Sequence, residues 1–186
     1  MQEQLEQEVT QLREQVEKLK KKISKIENGR KDQLSMAVVS GDLDKVMASM
    51  IIGIAAAAMD TKVKMFFSFW SLSALRDPKK SPKGKDFISK MFGFMLPKGK
   101  HALKLSNMNM GGMGSKMINY VMKKKNVDDV ETLIANAQKM GVKLVACAMS
   151  MDIMGIKQEE LIDGVEIAGV ASYLAETEDS GLNLFI

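Results

Sequence analysis

A strand, a helix and a second strand follow one another closely in the first half of the chain, and this order limits the fold more than any other sequence feature. The apolar run LSMAVVS (34–40) is followed by a nearly apolar, alanine-rich helix that extends to about Met59, and the aromatic-rich run KVKMFFSFW (62–70) comes next. Two strands joined through a helix pair in parallel, and the crossover between them is right-handed. The segment therefore predicts an α/β domain with a parallel sheet.

Three further strands follow after a long irregular segment. The helix VDDVETLIANAQKMG (127–141) carries Asp128 and Glu131 in a spacing similar to a capping box, and it leads into the strand VKLVACA (142–148). A turn and a short helix come next, and then VEI, the helix AGVASYLAETE and LNLFI complete the pattern. Five strands that alternate with helices predict a three-layer α/β/α sandwich with a mainly parallel five-stranded sheet. We assign this α/β domain to residues 33–186.

Residues 1–28 show a different periodicity, with apolar side chains alternately three and four positions apart. The a positions of the heptad are Val9, Val16 and Ile23, and the d positions are Leu5, Leu12, Leu19 and Ile26. β-Branched residues at a with mainly leucine at d favour a parallel two-stranded coiled coil, although about three heptads also fit a trimer. The alternative is one amphipathic helix packed on its own domain, but a narrow apolar stripe suits a partner helix better. We therefore predict a coiled-coil oligomerisation helix and a homo-oligomeric protein.

Charge and cysteine usage exclude several functional classes. The formal net charge is +4 over 186 residues, which does not indicate nucleic-acid binding without a focused basic patch. A single cysteine cannot form an internal disulfide, and MQEQLEQEVT lacks the basic start and apolar middle of a signal peptide. The longest nearly apolar run, 46–59, is shorter than the ~20 residues that a spanning helix needs. These observations predict a cytoplasmic protein in a reducing compartment.

Cys147, the one cysteine of the chain, ends the third predicted strand. Ligands of open parallel sheets bind at the carboxyl ends of the strands, and we expect a helix to begin just beyond, near Ser150 or Asp152. A helix N-terminus stabilises the thiolate, which is the reactive form of cysteine. The alternative is an inert core residue, because free cysteine is among the most buried residue types. Position in the strand alone slightly favours the inert residue.

The segment 86–117 is rich in methionine, phenylalanine and lysine, and its composition fits a lid, a partner surface or a membrane-surface element. Peripheral membrane contact is the less favoured of these, since a lid over the strand ends explains the composition equally well. The seventeen methionines favour packing over Cu(I) binding, because the chain has a single histidine, His101. GGMGSK (111–116) lacks the spacing of a phosphate loop, so a flavin- or nucleotide-binding domain is disfavoured, and we predict neither a cofactor nor a metal.

Four motifs resemble the DsrE/DsrF/DsrH-like family, in its subgroup of DsrE-like or peroxiredoxin-family proteins of sulfur metabolism. They are KMFFSFWSLSAL (64–75), MFGFMLPKG (91–99), KLSNMNMGGMGSKM (104–117) and VKLVACAMSMDIMGIKQEELIDGVEIAGVASYL (142–174). The resemblance covers about residues 34–186, and its last motif is quite specific, while the heptads lie outside it. The family's aromatic strand usually ends in F-W-G-L, whereas this chain reads FWSL, with Ser71.

The resemblance implies a five-stranded parallel sheet between helices and a role in intracellular sulfur trafficking. Family members hold sulfane sulfur as a cysteine persulfide and exchange it with rhodanese-like or TusA-like partners, and the sulfur-binding position corresponds to Cys147. It thus implies a sulfur carrier or sulfurtransferase that loads Cys147 and passes sulfur to partner proteins; whether such a carrier is an enzyme stays open. The alternative is a non-catalytic oligomeric assembly or regulatory module of the same fold, in which Cys147 is structural.

Overall fold

Five parallel strands connected by helices form the sheet that positions the candidate site. The strands are β1 (Gln33–Val38), β2 (Lys62–Phe67), β3 (Lys143–Cys147), β4 (Val165–Ala168) and β5 (Leu182–Phe185). The helices are α1 (Gln2–Gly29), α2 (Leu43–Ala58), α3 (Met113–Lys124), α4 (Val130–Lys139), α5 (Ala148–Ile153) and α6 (Val170–Thr177), with 3-10 helices at Phe69–Leu75, Met110–Gly112 and Gln158–Glu160. The computed structural model describes residues 2–29, 32–80, 91, 95–97, 99, 103–178 and 180–186, and the side chains of α1 from 11 to 24.

The strands are ordered β4-β3-β2-β1-β5 across the sheet, and every pairing is parallel. The chain moves in one direction from β1 to β4 and then returns across the sheet to place β5 beside β1. Because such crossovers are right-handed, this reversal places the last connecting helix, α6, on the face opposite to α2 and α4. The predicted α/β/α sandwich with a five-stranded parallel sheet is therefore confirmed, and α6 crosses its second face.

The main core lies on the sheet face that α2 and α4 cover. Alternate strand residues point into it: Leu34, Met36, Val38, Val63, Met65, Phe67, Leu144 and Ala146. From the two helices come Val46, Met50, Leu133, Ile134 and Ala137. The intervening residues Phe66 and Val145 belong to a separate buried cluster on the other face. Burial on both faces of the three central strands β1, β2 and β3 explains why they read as nearly continuous apolar runs rather than as an alternation of apolar and polar residues.

Two helix starts differ from the sequence prediction. Asp129 caps α4 in place of the predicted Asp128, because a capping side chain must reach the third helical residue, here Thr132. The Asp129 Oδ1 accepts hydrogen bonds from the Thr132 backbone N at 2.9 Å and from its Oγ1 at 2.8 Å. The second difference concerns α5, which begins at Ala148 and not near Ser150 or Asp152, so strand β3 passes directly into the helix.

A buried ion pair joins the segment after β2 to the segment before β4. Arg76 Nη2 lies 2.8 Å from Glu160 Oε2, and the two side chains are only 1% and 2% exposed. The other carboxylate oxygen of Glu160 accepts from the Lys157 backbone N at 2.9 Å. Arg76 Nη1 donates to the carbonyls of Leu96 and Pro97, both at 3.3 Å. The pair therefore ties three separate chain segments to one another.

Helix α1 belongs to a unit of its own, Met1–Lys31, and the α/β domain forms the second unit, Asp32–Ile186. Within the described part of α1, every side chain from 11 to 24 is exposed, including the heptad residues Leu12, Val16, Leu19 and Ile23. Glu17 and Lys20 form an exposed ion pair at 3.9 Å along the same helix. An apolar stripe left in water contributes nothing to the stability of a helix, since tertiary or partner packing normally supplies it.

Candidate functional site

Cys147 is the last residue of β3 and also the N-cap residue of α5. Its backbone is extended, with φ −71° and ψ 114°, and its strand neighbour on β4 is Ala168. The residue is fully buried, at 0% exposure. The sequence prediction of a cysteine at the carboxyl end of a parallel strand is therefore correct in position. The thiol, however, is covered by protein in this structure.

The surroundings of Cys147 are apolar. It forms one buried cluster with Phe66, Val145 and Tyr173, which we call the cysteine cluster, and the partly buried Ala37 and Ala168 pack against it. The rings of Phe66 and Tyr173 are stacked, with centroids 4.6 Å apart and planes inclined by 17°. Burial raises the pKa of the Tyr173 hydroxyl, so this group stays protonated near neutral pH. A sulfur atom held here is shielded from bulk water.

Three serines connect the strand ends beside the cysteine. Ser68 follows β2 and its Oγ lies 2.8 Å from the Oγ of Ser150, which belongs to α5. Ser71 accepts a hydrogen bond from the Ser68 backbone N at 3.0 Å and donates to the Val38 carbonyl at 2.6 Å. The register of β2 with β3 pairs Phe67 with Ala146, so its continuation brings Ser68 beside Cys147. This serine network fixes the backbone on both sides of the thiol.

An exposed apolar rim stands at the same edge of the sheet. It consists of Phe69, Trp70 and Met149, all of which are exposed. The backbone of Trp70 lies against Gly41, where an added Cβ would come within 2.4 Å of the Trp70 carbonyl oxygen. Only glycine therefore fits at position 41 without a backbone shift. This close approach sets the position of the 3-10 helix that carries the rim.

A cleft of about 450 Å³ opens next to the β3–β4 end. Its lining includes Ala148 and Ile167, which directly adjoin Cys147 and its strand neighbour Ala168 in sequence. The wall is apolar where Met151 and Ile156 contribute and charged where Asp152, Lys157 and Glu159 do. Ile167 is the register partner of the main-core residue Ala146, and Met151 and Ile156 belong to the main core, so the cleft opens on the main-core side of the strand ends. The candidate site itself combines a buried thiol and an apolar rim.

The other residues considered from the sequence are not brought to this site by the described structure. His101 lies outside the described residues, as do 86–90, 92–94, 98, 100 and 102 of the methionine- and phenylalanine-rich segment. Methionines 108, 110, 113 and 117 of that segment are exposed. Within the described ranges, no three His, Cys, Asp or Glu side chains are grouped to hold a metal ion. Among the same residues, no helix combines the length and apolarity needed to cross a bilayer.

Sequence reasoning missed Tyr173, Ser68 and Ser150 as parts of the site. Tyr173 stands 26 positions after Cys147 in a short helix. The sheet face on which this helix packs is set by the crossover from β4 to β5, which the sequence around Tyr173 does not reveal. The serines carry no periodic signal, although the FWSL motif had singled out Ser71 of the same network. The strand-end position of Ser68 was the available clue, because polar residues at strand ends of parallel sheets commonly face ligand sites.

Comparisons with known proteins identify the family and the fold of the chain. Residues 30–185 match the model of the DsrE/DsrF/DrsH-like family. The chain is 50% identical over 152 residues to the uncharacterized protein YrkE of Bacillus subtilis, covering 82% of this chain and 95% of YrkE. It is 32% identical over 158 residues to the sulfur carrier protein DsrE2 of Allochromatium vinosum, covering 83% of this chain and 98% of DsrE2. The crystal structure of the ychN protein from E. coli has a similar fold, with a TM-score of 0.53 at 13% identity over 83% of this chain and 98% of that one. The chain belongs to the DsrE/DsrF/DrsH-like family.

Proposed function

We propose that the protein is an intracellular sulfur carrier that holds sulfane sulfur as a persulfide on Cys147 and passes it to partner proteins. The observation that carries the proposal is the place of Cys147, the one cysteine, at the carboxyl end of β3 in a chain that is 32% identical to a protein named as a sulfur carrier. Ligands of parallel α/β sheets bind at this edge, so the thiol stands where chemistry is expected.

Loading and release are two thiol-exchange steps. The Cys147 thiolate attacks the terminal sulfur of a donor persulfide, R–S–SH; a new S–S bond forms at Sγ, the donor S–S bond breaks, and R–S⁻ leaves. An acceptor thiolate then attacks the terminal sulfur of the Cys147 persulfide and returns the Cys147 thiolate. No net oxidation occurs in either step. With one cysteine in the chain, no second thiol of the same subunit competes by forming a disulfide.

The apolar cysteine cluster supports storage between these steps. Cys147 is buried in one cluster with Phe66, Val145 and Tyr173, so a persulfide would be kept from water and from soluble oxidants. The exposed apolar rim supports the transfer steps, because exposed aromatic and methionine side chains are typical of partner-binding surfaces. We assign this rim to rhodanese-like or TusA-like sulfur-transfer proteins, which would dock at Trp70 and bring their own cysteine to the strand ends.

The complete burial of Cys147 favours a second candidate function. In this alternative the thiol is structural, and the domain is a non-catalytic assembly or regulatory module of the same fold. Buried cysteines in apolar surroundings are commonly inert. The two functions differ in one observable property, which is whether Cys147 accepts sulfur while the protein stays folded.

Mass spectrometry after incubation with polysulfide tests the proposal. We expect an added mass of about 32 Da, one sulfur atom, on the tryptic peptide 144–157 that contains Cys147. Dithiothreitol should remove it, which distinguishes a persulfide from a sulfinic acid of nearly equal mass, because the sulfinic acid is not reduced by thiols. Thiosulfate with a rhodanese should load the same peptide. If circular dichroism shows that the protein is folded and no adduct forms, the carrier function is rejected and the structural role of Cys147 is supported.

We further propose that α1 joins at least two copies of the chain through its heptad stripe. The residues Leu12, Val16, Leu19 and Ile23 support this, since they repeat at coiled-coil spacing and their side chains are exposed. Deletion of residues 1–28 should lower the molar mass measured by light scattering. An unchanged mass would mean that the α/β domain alone drives assembly.

A matched pair of substitutions separates the stripe from the charge of the helix. Leu19→Asp places a charge on the stripe and should lower the molar mass, whereas Lys21→Asp changes the charge more strongly but lies off the stripe and should preserve it. Equal masses for the two variants would argue against the coiled coil.

A further inference from the structure

Helix α6 is the described element that crosses the second sheet face, and its attachment there is slight. Of its eight residues, Val170–Thr177, Tyr173 is the one that is buried, at 8% exposure. Val170 and Leu174 of the same helix are exposed. The main core on the opposite face holds apolar side chains from several strands and helices. Elements with few buried apolar contacts open locally at lower free energy than the rest of a fold.

A polar attachment at the C-terminal end of α6 complements the stacked ring. The carboxylate of Glu176 pairs with the ammonium of Lys64, a buried lysine on the same sheet face as Phe66. Gln33 Nε2 donates to the Glu176 carbonyl at 3.3 Å and to Ser180 Oγ at 3.0 Å. Tyr173 therefore holds the helix over the cysteine cluster, and Glu176 holds its far end over β1 and β2.

The burial of Cys147 makes this helix important for the proposed chemistry. A thiol at 0% exposure cannot meet a donor or acceptor sulfur until some covering element moves. Helices α2 and α4 pack on the opposite face of the sheet, so their movement would not uncover the thiol. Tyr173 of α6 is the member of the cysteine cluster that does not come from a strand, so movement of α6 would open this cluster and leave the main core in place. We propose that α6 is a gate over Cys147: it is closed by the Tyr173–Phe66 stack and the Lys64–Glu176 ion pair, and it opens locally without global unfolding to admit sulfur-transfer partners. This inference rests on the proposed carrier function and adds its regulation.

The gate makes the rate of reaction at Cys147 proportional to the fraction of open molecules. A partner that binds the open form better would raise that fraction, while a small thiol without such binding would meet the closed form most of the time. The carrier thereby discriminates by partner rather than by thiol reactivity alone.

Alkylation of the single cysteine with iodoacetamide measures this opening in the wild-type chain. The alkylation rate should be well below that of the denaturant-unfolded protein. It should nevertheless be at least about tenfold above the rate that global unfolding alone would allow. At low urea concentration the alkylation rate should change little, because a local opening exposes little surface. An alkylation rate equal to the rate that global unfolding allows, with the same dependence on urea concentration as global unfolding, would overturn the gate. So would a rate equal to that of the unfolded chain, because the thiol would then have no cover in solution.

Substitution of Glu176 locates the gate on α6. Glu176→Gln removes the charge that pairs with Lys64 and should raise the alkylation rate in water about fivefold, the order expected for a partly exposed ion pair at the upper end of its range. Glu178→Gln removes the same charge two residues later, where the side chain is exposed, and should leave the rate unchanged. Equal rates for the two variants would remove Glu176 from the mechanism.

Tyr173→Leu tests the ring contact while keeping an apolar side chain in the cluster. It should raise the alkylation rate by about tenfold or more, since a stacked aromatic pair is lost together with part of the buried area. Urea unfolding of the same variant measures the change in global stability. Only the part of the increase in alkylation rate that this change in stability does not explain supports the gate. An alkylation rate that rises no more than global unfolding requires would contradict it. Alkylation by local opening without sulfur uptake would reject the carrier function while keeping the gate.

Discussion

A Cys147→Ala variant is expected to take up no sulfur from polysulfide or from thiosulfate with a rhodanese. The reason is chemical, because Cys147 is the one thiol in the chain and no other side chain can form a persulfide. Mass spectrometry of the intact protein and of the tryptic peptide 144–157 measures the result. The expected change is complete loss of the adduct, the largest functional effect that any single substitution in this chain should produce.

Alanine is the better replacement for this test, because serine would place a hydroxyl in the apolar cysteine cluster. An unsatisfied buried hydroxyl costs about 1–3 kcal/mol, whereas alanine leaves a small cavity that costs about 1 kcal/mol. Met59→Leu, at an exposed methionine beyond the end of α2, is the matched control and should load as the wild type does. An adduct that persists in Cys147→Ala would place the sulfur elsewhere and overturn the proposed site.

An Arg76→Met variant is expected to lose about 3–5 kcal/mol of unfolding free energy, the largest stability effect we expect from a single substitution outside the apolar core. Arg76 and Glu160 are nearly inaccessible, at 1% and 2% exposure. Removal of the guanidinium breaks its ion pair with the Glu160 carboxylate, a buried charge that the protein interior solvates poorly. Urea unfolding followed by circular dichroism measures the loss, which is a large share of the roughly 5–15 kcal/mol typical of a domain.

Two comparison variants identify the cause of that loss. Glu160→Gln combined with Arg76→Met removes both charges but keeps an oxygen to accept from the Lys157 backbone N, so it should recover much of the stability. The second variant, Lys80→Met, breaks a neighbouring pair in which the hydrogen bond from Lys80 lowers the pKa of the exposed Asp163. This loss should be far smaller, because water solvates the remaining carboxylate. Similar losses in Arg76→Met and Lys80→Met would contradict the role of burial.

The parallel sheet was predictable because its information is local. Apolar runs such as 34–40 and 62–70, separated by helices, specify strands that are buried on both faces. Cys147 was likewise placed at a strand end by its position after the run KLVA and before polar residues. Its complete burial was not predictable from that position. Tyr173 of α6 is part of the cluster that buries the thiol, and the face that α6 crosses follows from β5 pairing with β1, a contact between distant parts of the chain.

The Arg76–Glu160 pair shows the same limit. The two residues stand 84 positions apart, Arg76 at the start of a predicted loop and Glu160 in a predicted short helix, and nothing in either stretch marks a buried charge. The prediction of Asp128 as a cap failed for a smaller reason, since two adjacent aspartates are both suitable cap residues and only Asp128 has a glutamate three positions later. The third helical residue decided between them: Thr132 offers two donors to Asp129.

The packing of Gly41 against Trp70 has a practical consequence for following the protein optically. Trp70 is the single tryptophan of the chain, it is 58% exposed, and the serine network and the Gly41 contact fix its backbone at the same sheet edge as Cys147. Tryptophan fluorescence of this protein therefore originates from one place, the rim beside the sulfur site. A change in emission on mixing with a protein that contains no tryptophan reports on that rim directly, so the chain carries its own fluorophore for titrating such partners without chemical labelling.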